Sequence, residues 1–419
     1  MAKGILQEAK EKGKLKFKYV GLITAKNIII SVLPKYAQNW ATEEEIQLEH
    51  TKLIIASLQQ YAKNYLLQLE GEEFLHEDHD LYNEAATASW LLDDFITHGL
   101  WDEQRETLVY NGDGEINWER TIELTDPIFH KGQPYYVDTI THYKERLEDS
   151  IIQQLHQWAV SYCADKYADL LGIGVMVEEK YHVEKERLGE DDYLLNIIDR
   201  ELHSVFQDRS IQLLKRIKLL ISHQSEQSED LLSLFGTKKF DSIWESACKA
   251  AFKDQHILQD KIEKPVWHDT HGNDIKEARK HQPDILHEGN DFLLVLDAKY
   301  YALKRGSTSE GKETLTGQPG IADVTKQIVY QKYFEQEYND KKILNCFLFP
   351  NLASEAEEME YIGWVDLPIL IFKEDKILNI TLCPKKLFKF YLGTSSHDYI
   401  SGIVSSYEEL CKKVQVPLK

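Results

Sequence analysis

The sequence predicts an α/β fold for the C-terminal part of the chain, with helices flanking a mixed sheet. An apolar run at 292–296, bounded by polar turns, is typical of a buried central strand. Apolar residues recur at helical spacing on both sides of that run, at 240–252 and 323–333. The earlier part mixes short strand patterns with long helical ones, which predicts an α+β N-terminal domain followed by a helical connector.

The length of the chain favours more than one hydrophobic core. At 419 residues the sequence exceeds the usual size of a single-core domain. A polar stretch at 222–230 is the best candidate for a linker. We therefore predict an α+β domain at 1–150, a helical connector at 151–230 and an α/β domain at 231–419.

Local patterns predict the elements in chain order. A hairpin is expected at 19–36, and Asn111 to Gly114 has the turn chemistry of a second hairpin at 108–122. Helical spacing predicts helices at 42–69, 85–98, 151–171 and 191–221, and apolar runs predict strands at 343–349 and 361–365. The segment 305–320 holds four glycines among Ser and Thr, and is expected to be either a mobile loop over a ligand or an ordinary surface loop.

Composition narrows the class of protein. Five cysteines without a Cys-x-x-Cys pair argue against a disulfide framework and a zinc knuckle. The polar, lysine-rich start at 1–18 is unlike a signal peptide, and no apolar run approaches a membrane span, so we expect a cytoplasmic protein without membrane association.

Net charge bears on nucleic-acid binding. A formal net charge of −21 is opposite to that of an autonomous DNA-binding protein. Basic residues nevertheless cluster around the run at 292–296, namely Lys276, Arg279, Lys280, Lys304, Arg305, Lys312, Lys326 and Lys332. The balance indicates weak DNA binding by the chain alone, which a partner could strengthen.

Three polar residues of one predicted hairpin carry the strongest functional signal. Asp284 follows Pro283, and Asp297 and Lys299 follow the buried run two residues apart, so both point to the same side of the sheet. Two convergent carboxylates suit Mg²⁺, and an adjacent lysine can orient a water molecule for phosphodiester hydrolysis. The alternative is a turn followed by a surface ion pair. Burial favours the metal site, because an unpaired carboxylate at the end of a buried strand is costly.

The two flanking helices add further candidates. Glu245 lies among apolar positions of the helix at 240–252 and is a possible third metal carboxylate, or else an exposed helix residue. Gln327 shares a helix face with Asp323 and Gln331, beside Tyr330. That polar face could hold the lysine, a water molecule or a phosphate, or it could simply be solvated.

The order of these motifs resembles that of a known nuclease superfamily. Helix with Glu245, strand with Asp284, strand with Asp297-Ala298-Lys299 and helix with Gln327 is the order of the PD-(D/E)xK nucleases. The segments 19–23, 28–36, 111–122, 134–137 and 236–245 resemble LlaJI-type restriction endonucleases, which are relatives of McrC. The resemblance covers residues from about 17 to about 350, and nothing specific is recognised after Trp364.

This resemblance implies both a site and an activity. The family's metal carboxylates fall on Asp284 and Asp297, its catalytic lysine on Lys299 and its helix glutamate on Glu245. Gln327 corresponds less closely, because the helix glutamine varies among these nucleases. The implied activity is Mg²⁺-dependent cleavage of double-stranded DNA in a restriction system that defends against phage, with Mn²⁺ as a possible substitute.

The resemblance also implies a partner, a McrB-like AAA+ GTPase bound through the N-terminal domain. The chain has no Gly-x-x-x-x-Gly-Lys-[Ser/Thr] motif and is not expected to hydrolyse nucleotide itself. Two alternatives stay open: a self-sufficient RecB-like nuclease and a non-catalytic adaptor that retains the nuclease fold. A histidine-metal nuclease built on His268, His271 and Asn273 is disfavoured, because the segment lacks the usual flanking pattern.

Overall fold

The computed structural model of the chain consists of two compact units. One comprises Met1–Ile23, Ile29–His79 and Gly236–Lys419, and the other comprises Thr24–Ile28 and Asp80–Phe235. The structure describes residues 6–8, 15–25, 28–40, 44–68, 83–101, 104–146, 150–178, 182–224, 232–262, 266–275, 282–307, 313–368 and 375–414. The three-part division expected from the sequence stays a prediction.

Helices and strands alternate along much of the described chain. The α-helices, α1 to α12 in chain order, are Glu44–Gln68, Glu84–His98, Trp118–Leu124, Ile151–Cys163, Asp169–Leu171, Lys185–Leu188, Asp191–Ser204, Asp208–Gln224, Phe240–Ala251, Ile321–Glu337, Pro384–Tyr391 and Tyr399–Val414. The strands, β1 to β18, are Leu6–Glu8, Leu15–Phe17, Val20–Ala25, Ile28–Val32, Gln104–Tyr110, Ile128–His130, Gln133–Tyr135, Ile140–Arg146, Leu232–Thr237, Trp267–His268, Asp274–Ile275, Ile285–Glu288, Phe292–Ala298, Lys304–Ser307, Glu313–Thr316, Lys342–Pro350, Met359–Asp366 and Lys376–Leu382.

A five-stranded mixed sheet organises the first unit, in the order β12-β13-β16-β18-β17. The central pairs β13/β16 and β16/β18 are parallel, and the outer pairs β12/β13 and β17/β18 are antiparallel. The burial of β13 is nearly continuous, as expected of a central strand covered on both faces. The mixed α/β architecture predicted for this region is therefore confirmed.

Helix α10 covers one face of this sheet. Leu293 and Val295 of β13 pack in one cluster with Tyr330 and Phe334 of α10. Because side chains alternate along a strand, Asp297 continues the row of Leu293 and Val295 and points toward the same helix. Leu294 and Leu296 point to the other face, and α9 also packs against β13. The carboxyl end of β13 thus presents polar groups beside α10.

The second unit is built mainly from helices. Helices α2, α4 and α8 pack against one another around fully buried residues such as Leu91, Leu155 and Leu213. Asn83 caps α2 by accepting a hydrogen bond from the Ala86 amide, and Gly99 ends the helix at a φ of 75°. In the ranges described, no helix is long and apolar enough to cross a membrane.

Two local predictions are wrong in this unit. The segment 108–122 is not a hairpin, because β5 pairs with β8 and residues 118–124 form α3. Asn117 starts that helix by accepting a hydrogen bond from the Arg120 amide, a cap that competes with strand pairing. The single helix expected at 191–221 is interrupted between α7 and α8, and Asp208 opens α8, where an acidic residue favours a helix start.

The glycine-rich segment 305–320 contains strand structure on both sides of residues 308–312. Strands β14 and β15 form an antiparallel pair within it, so the prediction of a loop throughout is wrong. Of the basic cluster expected near the site, Lys276, Arg279, Lys280 and Lys312 lie outside the described residues, as does the side chain of Arg305.

Candidate active site

Asp297 and Lys299 form an ion pair at the carboxyl end of β13. The Lys299 Nζ lies 2.8 Å from Asp297 Oδ2. The Asp297 residue is only 2% exposed, because it extends the buried row of β13 under α10. The sequence prediction that both side chains lie on the same side of the strand is confirmed.

Asp284 joins them from the neighbouring strand. It directly precedes β12, whose first residue, Ile285, pairs with Leu296 across the hairpin. The Ala298 amide donates a hydrogen bond of 2.9 Å to Asp284 Oδ2 and fixes this carboxylate at the end of β13. Burial, followed by the charges of Asp297 and Glu245, raises the pKa of Asp284 to about 7. The site therefore concentrates negative charge.

Asp323 holds Lys299 from the opposite side. Lys299 Nζ donates a hydrogen bond of 2.8 Å to Asp323 Oδ1 in the first turn of α10. Burial alone would lower the pKa of Lys299, but the carboxylates of Asp297 and Asp323 outweigh burial and raise it above its ordinary value. Lys299 is thus an ammonium ion that donates hydrogen bonds, and it cannot accept a proton near neutral pH.

Glu245 is placed differently from the buried position expected from the sequence. Its side chain is 35% exposed and its Oε1 lies 2.6 Å from Lys249 Nζ, one turn further along α9. The buried stripe of α9 instead consists of Phe240, Ile243, Trp244, Ala247, Cys248 and Ala251, while Ala250 is exposed. The negative charge of Glu245 contributes to the raised pKa of Asp284.

Gln327 supports the site from inside α10. Its Nε2 donates a hydrogen bond of 3.0 Å to the Val295 carbonyl, and its buried Oε1 has no hydrogen-bond partner among the described residues. Asn345 on β16 donates to the Gln327 carbonyl at 3.1 Å and to Gln331 Oε1 at 3.0 Å. The polar face of α10 therefore points inward and ties the helix to the two central strands.

The Tyr330 hydroxyl is a further group beside the acidic pair. It is buried, and within the part of the chain that the structure describes it has no hydrogen-bond partner. Burial, then the charges of Asp284 and Asp297, raise its pKa above the ordinary value for tyrosine, so it stays protonated. The hydroxyl is available to donate a hydrogen bond into the site, a role that the helical spacing alone did not indicate.

The carboxylates at this site are suitable ligands for a hard divalent cation. Mg²⁺ is commonly held by one or two carboxylates and completes its shell with water and phosphate oxygens. Asp284 and Asp297 are such a pair, and a cation would relieve the repulsion that raises the pKa of Asp284. Within the described ranges, no group of three or more His, Cys, Asp or Glu side chains is arranged as a metal cage. Two carboxylates, without Glu245, are therefore the ligand set that the geometry favours.

The alternative site built on His268 and His271 is a polar turn. Asp269 Oδ1 accepts hydrogen bonds from the backbone amides of His271 and Asn273, both at 2.8 Å, and His268 and His271 are exposed. These bonds account for the spacing of the polar residues in this segment.

Comparison with known proteins finds restriction endonuclease components among those similar to this chain. The model of the LlaJI restriction endonuclease family matches residues 19–383, further toward the C-terminus than the resemblance noted in the sequence. The Type II restriction enzyme BsuMI component YdjA of Bacillus subtilis (strain 168) is 30% identical over 425 residues, covering 99% of this chain and 89% of that protein.

A solved structure gives a weaker match. McrC bound to McrB AAA+ hexamers, from Thermococcus gammatolerans, matches 94% of this chain and 85% of that chain, with a TM-score of 0.40 and 15% identity. A likeness at this level does not establish a shared fold.

Proposed function

Since the chain belongs to the LlaJI restriction endonuclease family, we propose that it is a nuclease subunit that hydrolyses double-stranded DNA at Asp284, Asp297 and Lys299. The observation that carries this proposal is the convergence of the buried Asp297 carboxylate, the half-buried Asp284 carboxylate and one ammonium group at the end of β13. The mixed sheet with α9 and α10 would then be a PD-(D/E)xK nuclease core.

Asp284 and Asp297 would hold Mg²⁺, or Mn²⁺ in its place. When bound, such an ion lowers the pKa of a coordinated water molecule and offsets the negative charge of the phosphate. The negative charge of the two aspartates beside Lys299 would also attract cations. It would repel an anion that arrives without a bound cation.

Lys299 would orient the reacting groups. Because its pKa is raised, it approaches the phosphate as an ammonium ion and donates hydrogen bonds to a phosphate oxygen or to the attacking water. Asp323 fixes the direction of the ammonium group. In-line attack of water on phosphorus with departure of the 3′ oxygen leaves 5′-phosphate and 3′-hydroxyl ends, and the leaving oxygen takes its proton from solvent.

A McrB-like AAA+ GTPase is proposed as the partner. The acidic balance of the chain, −21, supports a division of labour in which another subunit supplies most of the DNA affinity. The proposed catalytic residues lie after residue 240. The N-terminal domain is therefore proposed as the part that binds the partner.

Plasmid cleavage by the purified chain tests the proposal. Supercoiled DNA is incubated with the chain in Mg²⁺, in Mn²⁺ and in EDTA, with and without a McrB-type GTPase and GTP. Cutting that requires a divalent ion supports the proposal. A purified chain that never cuts under any of these conditions would contradict it and favour the adaptor alternative.

The same experiment separates the two nuclease alternatives. Cutting without the GTPase would support a self-sufficient RecB-like enzyme, whereas cutting only with GTPase and GTP would support the restriction subunit. A single plasmid substrate thus distinguishes all three hypotheses.

A further inference from the structure

A cleft in the first unit opens onto the proposed catalytic lysine. Its volume is about 730 Å³, and it is lined by the segment that includes β2, by the start of the helical turn at Lys35–Asn39, by the start of α9 and by the end of β13. Lys299 and Tyr300 form one wall of it. Lys299 therefore belongs both to the lining of the cleft and to the proposed site.

The charge of this cleft is opposite to that of the whole chain. Its lysines are Lys16, Lys18, Lys35, Lys238 and Lys299, and its acidic lining residue is Asp241. The chain carries 70 acidic residues against 49 basic ones, so a concentration of lysines in one cleft is unusual for this protein. A cleft that gathers positive charge attracts anions and raises their local concentration.

Lys35 is a half-buried lysine in the wall of this cleft. Its Nζ lies 4.1 Å from the centre of the Tyr300 ring, and its backbone amide donates a hydrogen bond of 3.0 Å to the Tyr300 hydroxyl. Among the residues described, no carboxylate lies within ion-pair distance of it. Burial, together with the nearby charge of Lys16, lowers the pKa of Lys35, and Asp241 only partly opposes this.

Burial disfavours the charged form of Lys35, and a bound anion would offset this cost. Tyr300, which follows Lys299 directly, keeps the Lys35 ammonium next to the proposed site. The position of Lys35 therefore suits a group of negative charge that enters the cleft next to Lys299.

We propose that this cleft binds the sugar-phosphate backbone of the DNA strand being cut, with Lys16, Lys18 and Lys35 contacting phosphates next to the scissile one. This inference rests on the proposed function. The regular spacing of phosphates along a strand suits lysines that line a groove rather than a single pocket. Such contacts depend on charge rather than on base sequence, so they position the strand without selecting the target.

DNA binding by Lys16→Glu/Lys18→Glu tests the proposal. Both residues are exposed, and neither belongs to the metal site, so the variant is expected to fold. Affinity for a fluorescein-labelled duplex is measured by anisotropy in Ca²⁺, over a series of salt concentrations, in an Asp297→Asn background that prevents cutting. We expect roughly 10-fold weaker binding, and a salt dependence whose slope decreases by about one for each phosphate that the variant no longer neutralises.

The matched control is Lys342→Glu/Lys412→Glu. Both lysines are exposed, and Lys342 pairs with Phe292 at the opposite end of β13 from Lys299. This double variant changes the net charge by the same amount, so it should keep the wild-type affinity and salt slope if the effect belongs to the cleft. Lys35→Gln, measured separately, should weaken binding while thermal unfolding reports whether the fold is kept.

The outcomes separate this inference from the proposed function. If the wild-type chain cuts plasmid but the cleft variant and the control variant bind DNA equally well, the DNA-binding role of the cleft is overturned and the proposed function stands. A cleft variant that keeps its DNA affinity but loses association with the GTPase would overturn it in favour of a protein-docking surface. A wild-type chain that neither binds nor cuts DNA, even with the GTPase, would overturn both.

Discussion

Lys299 at the end of β13 and Asp323 in the first turn of α10 are joined by a hydrogen bond of 2.8 Å. This bond links the proposed catalytic strand to the helix that covers it. Asp323 lies on the buried polar face of α10 that also carries Gln327 and Gln331. The helix therefore positions the lysine as well as completing the core.

Substitution of Asp323 should reduce the rate more than the affinity. Asp323→Ala frees the Lys299 ammonium, and we expect kcat to fall roughly 10- to 100-fold with little change in KM. Asp340→Ala, an exposed aspartate just beyond α10, is the control. A wild-type kcat in Asp323→Ala would show that Asp323 does not act through Lys299.

Substitution of Lys299 should separate metal binding from catalysis. Lys299→Ala removes a positive charge 2.8 Å from Asp297, so the affinity for Mn²⁺ should stay the same or increase. Cleavage should fall by roughly 100-fold or more, because the hydrogen-bond donor to the reacting phosphate is removed. Calorimetric titration with Mn²⁺ and plasmid cleavage measure the two effects. Weaker Mn²⁺ binding in this variant would argue against the assigned roles.

The raised pKa of Asp284 predicts a pH-dependent stability in EDTA. A carboxyl group with a pKa of about 7 in the folded state binds more protons than the unfolded chain between about pH 4 and 7, so its contribution to stability falls as pH rises through this window. Asp284→Asn removes this titration and with it the loss of stability. We expect the free energy of unfolding of the variant, minus that of the wild type, to be on the order of 2 kcal/mol larger at pH 8 than at pH 5.

Urea unfolding in EDTA at the two pH values measures this difference. Addition of Mg²⁺ should reverse the order at pH 8, because the wild type is then stabilised by the bound ion and the variant is not. A difference between the proteins that is the same at both pH values would contradict the shifted pKa.

Gln327 should matter more for stability than for chemistry. Gln327→Leu removes the hydrogen bond to the Val295 carbonyl, which should cost about 0.5–1.5 kcal/mol. Cleavage below the unfolding temperature should fall less than 10-fold. A much larger loss of activity in a fully folded variant would assign Gln327 a direct role in the reaction.

The sequence predicts the local parts of the site well. The hairpin with Asp284 and Asp297 and the inward polar face of α10 follow from alternation and helical spacing, which act over a few residues. The buried position expected for Glu245 does not hold, because spacing alone could not show that Lys249 draws it toward solvent. The helix at 118–124 is not predicted, because Asn117 also fits the pattern of a turn.

Long-range relationships could not be predicted in the same way. The sheet order β12-β13-β16-β18-β17 depends on pairing between distant segments, including β18, where no motif is recognised. Lys35 meets Tyr300 although the two residues are 265 positions apart. The sequence indicated basic residues close to the hairpin along the chain, whereas the cleft takes its lysines from the N-terminal segment and from the start of α9.

Plasmid cleavage by Asp297→Ala beside Asp291→Ala tests the central claim most directly. The two aspartates lie in the same hairpin, but Asp291 is exposed at the turn and Asp297 is buried beside Lys299. In Mg²⁺, with and without the GTPase and GTP, we predict that Asp297→Ala cuts on the order of 1000-fold more slowly or not at all. Asp291→Ala should cut at the wild-type rate. Equal cutting by both variants would contradict the assignment of this site.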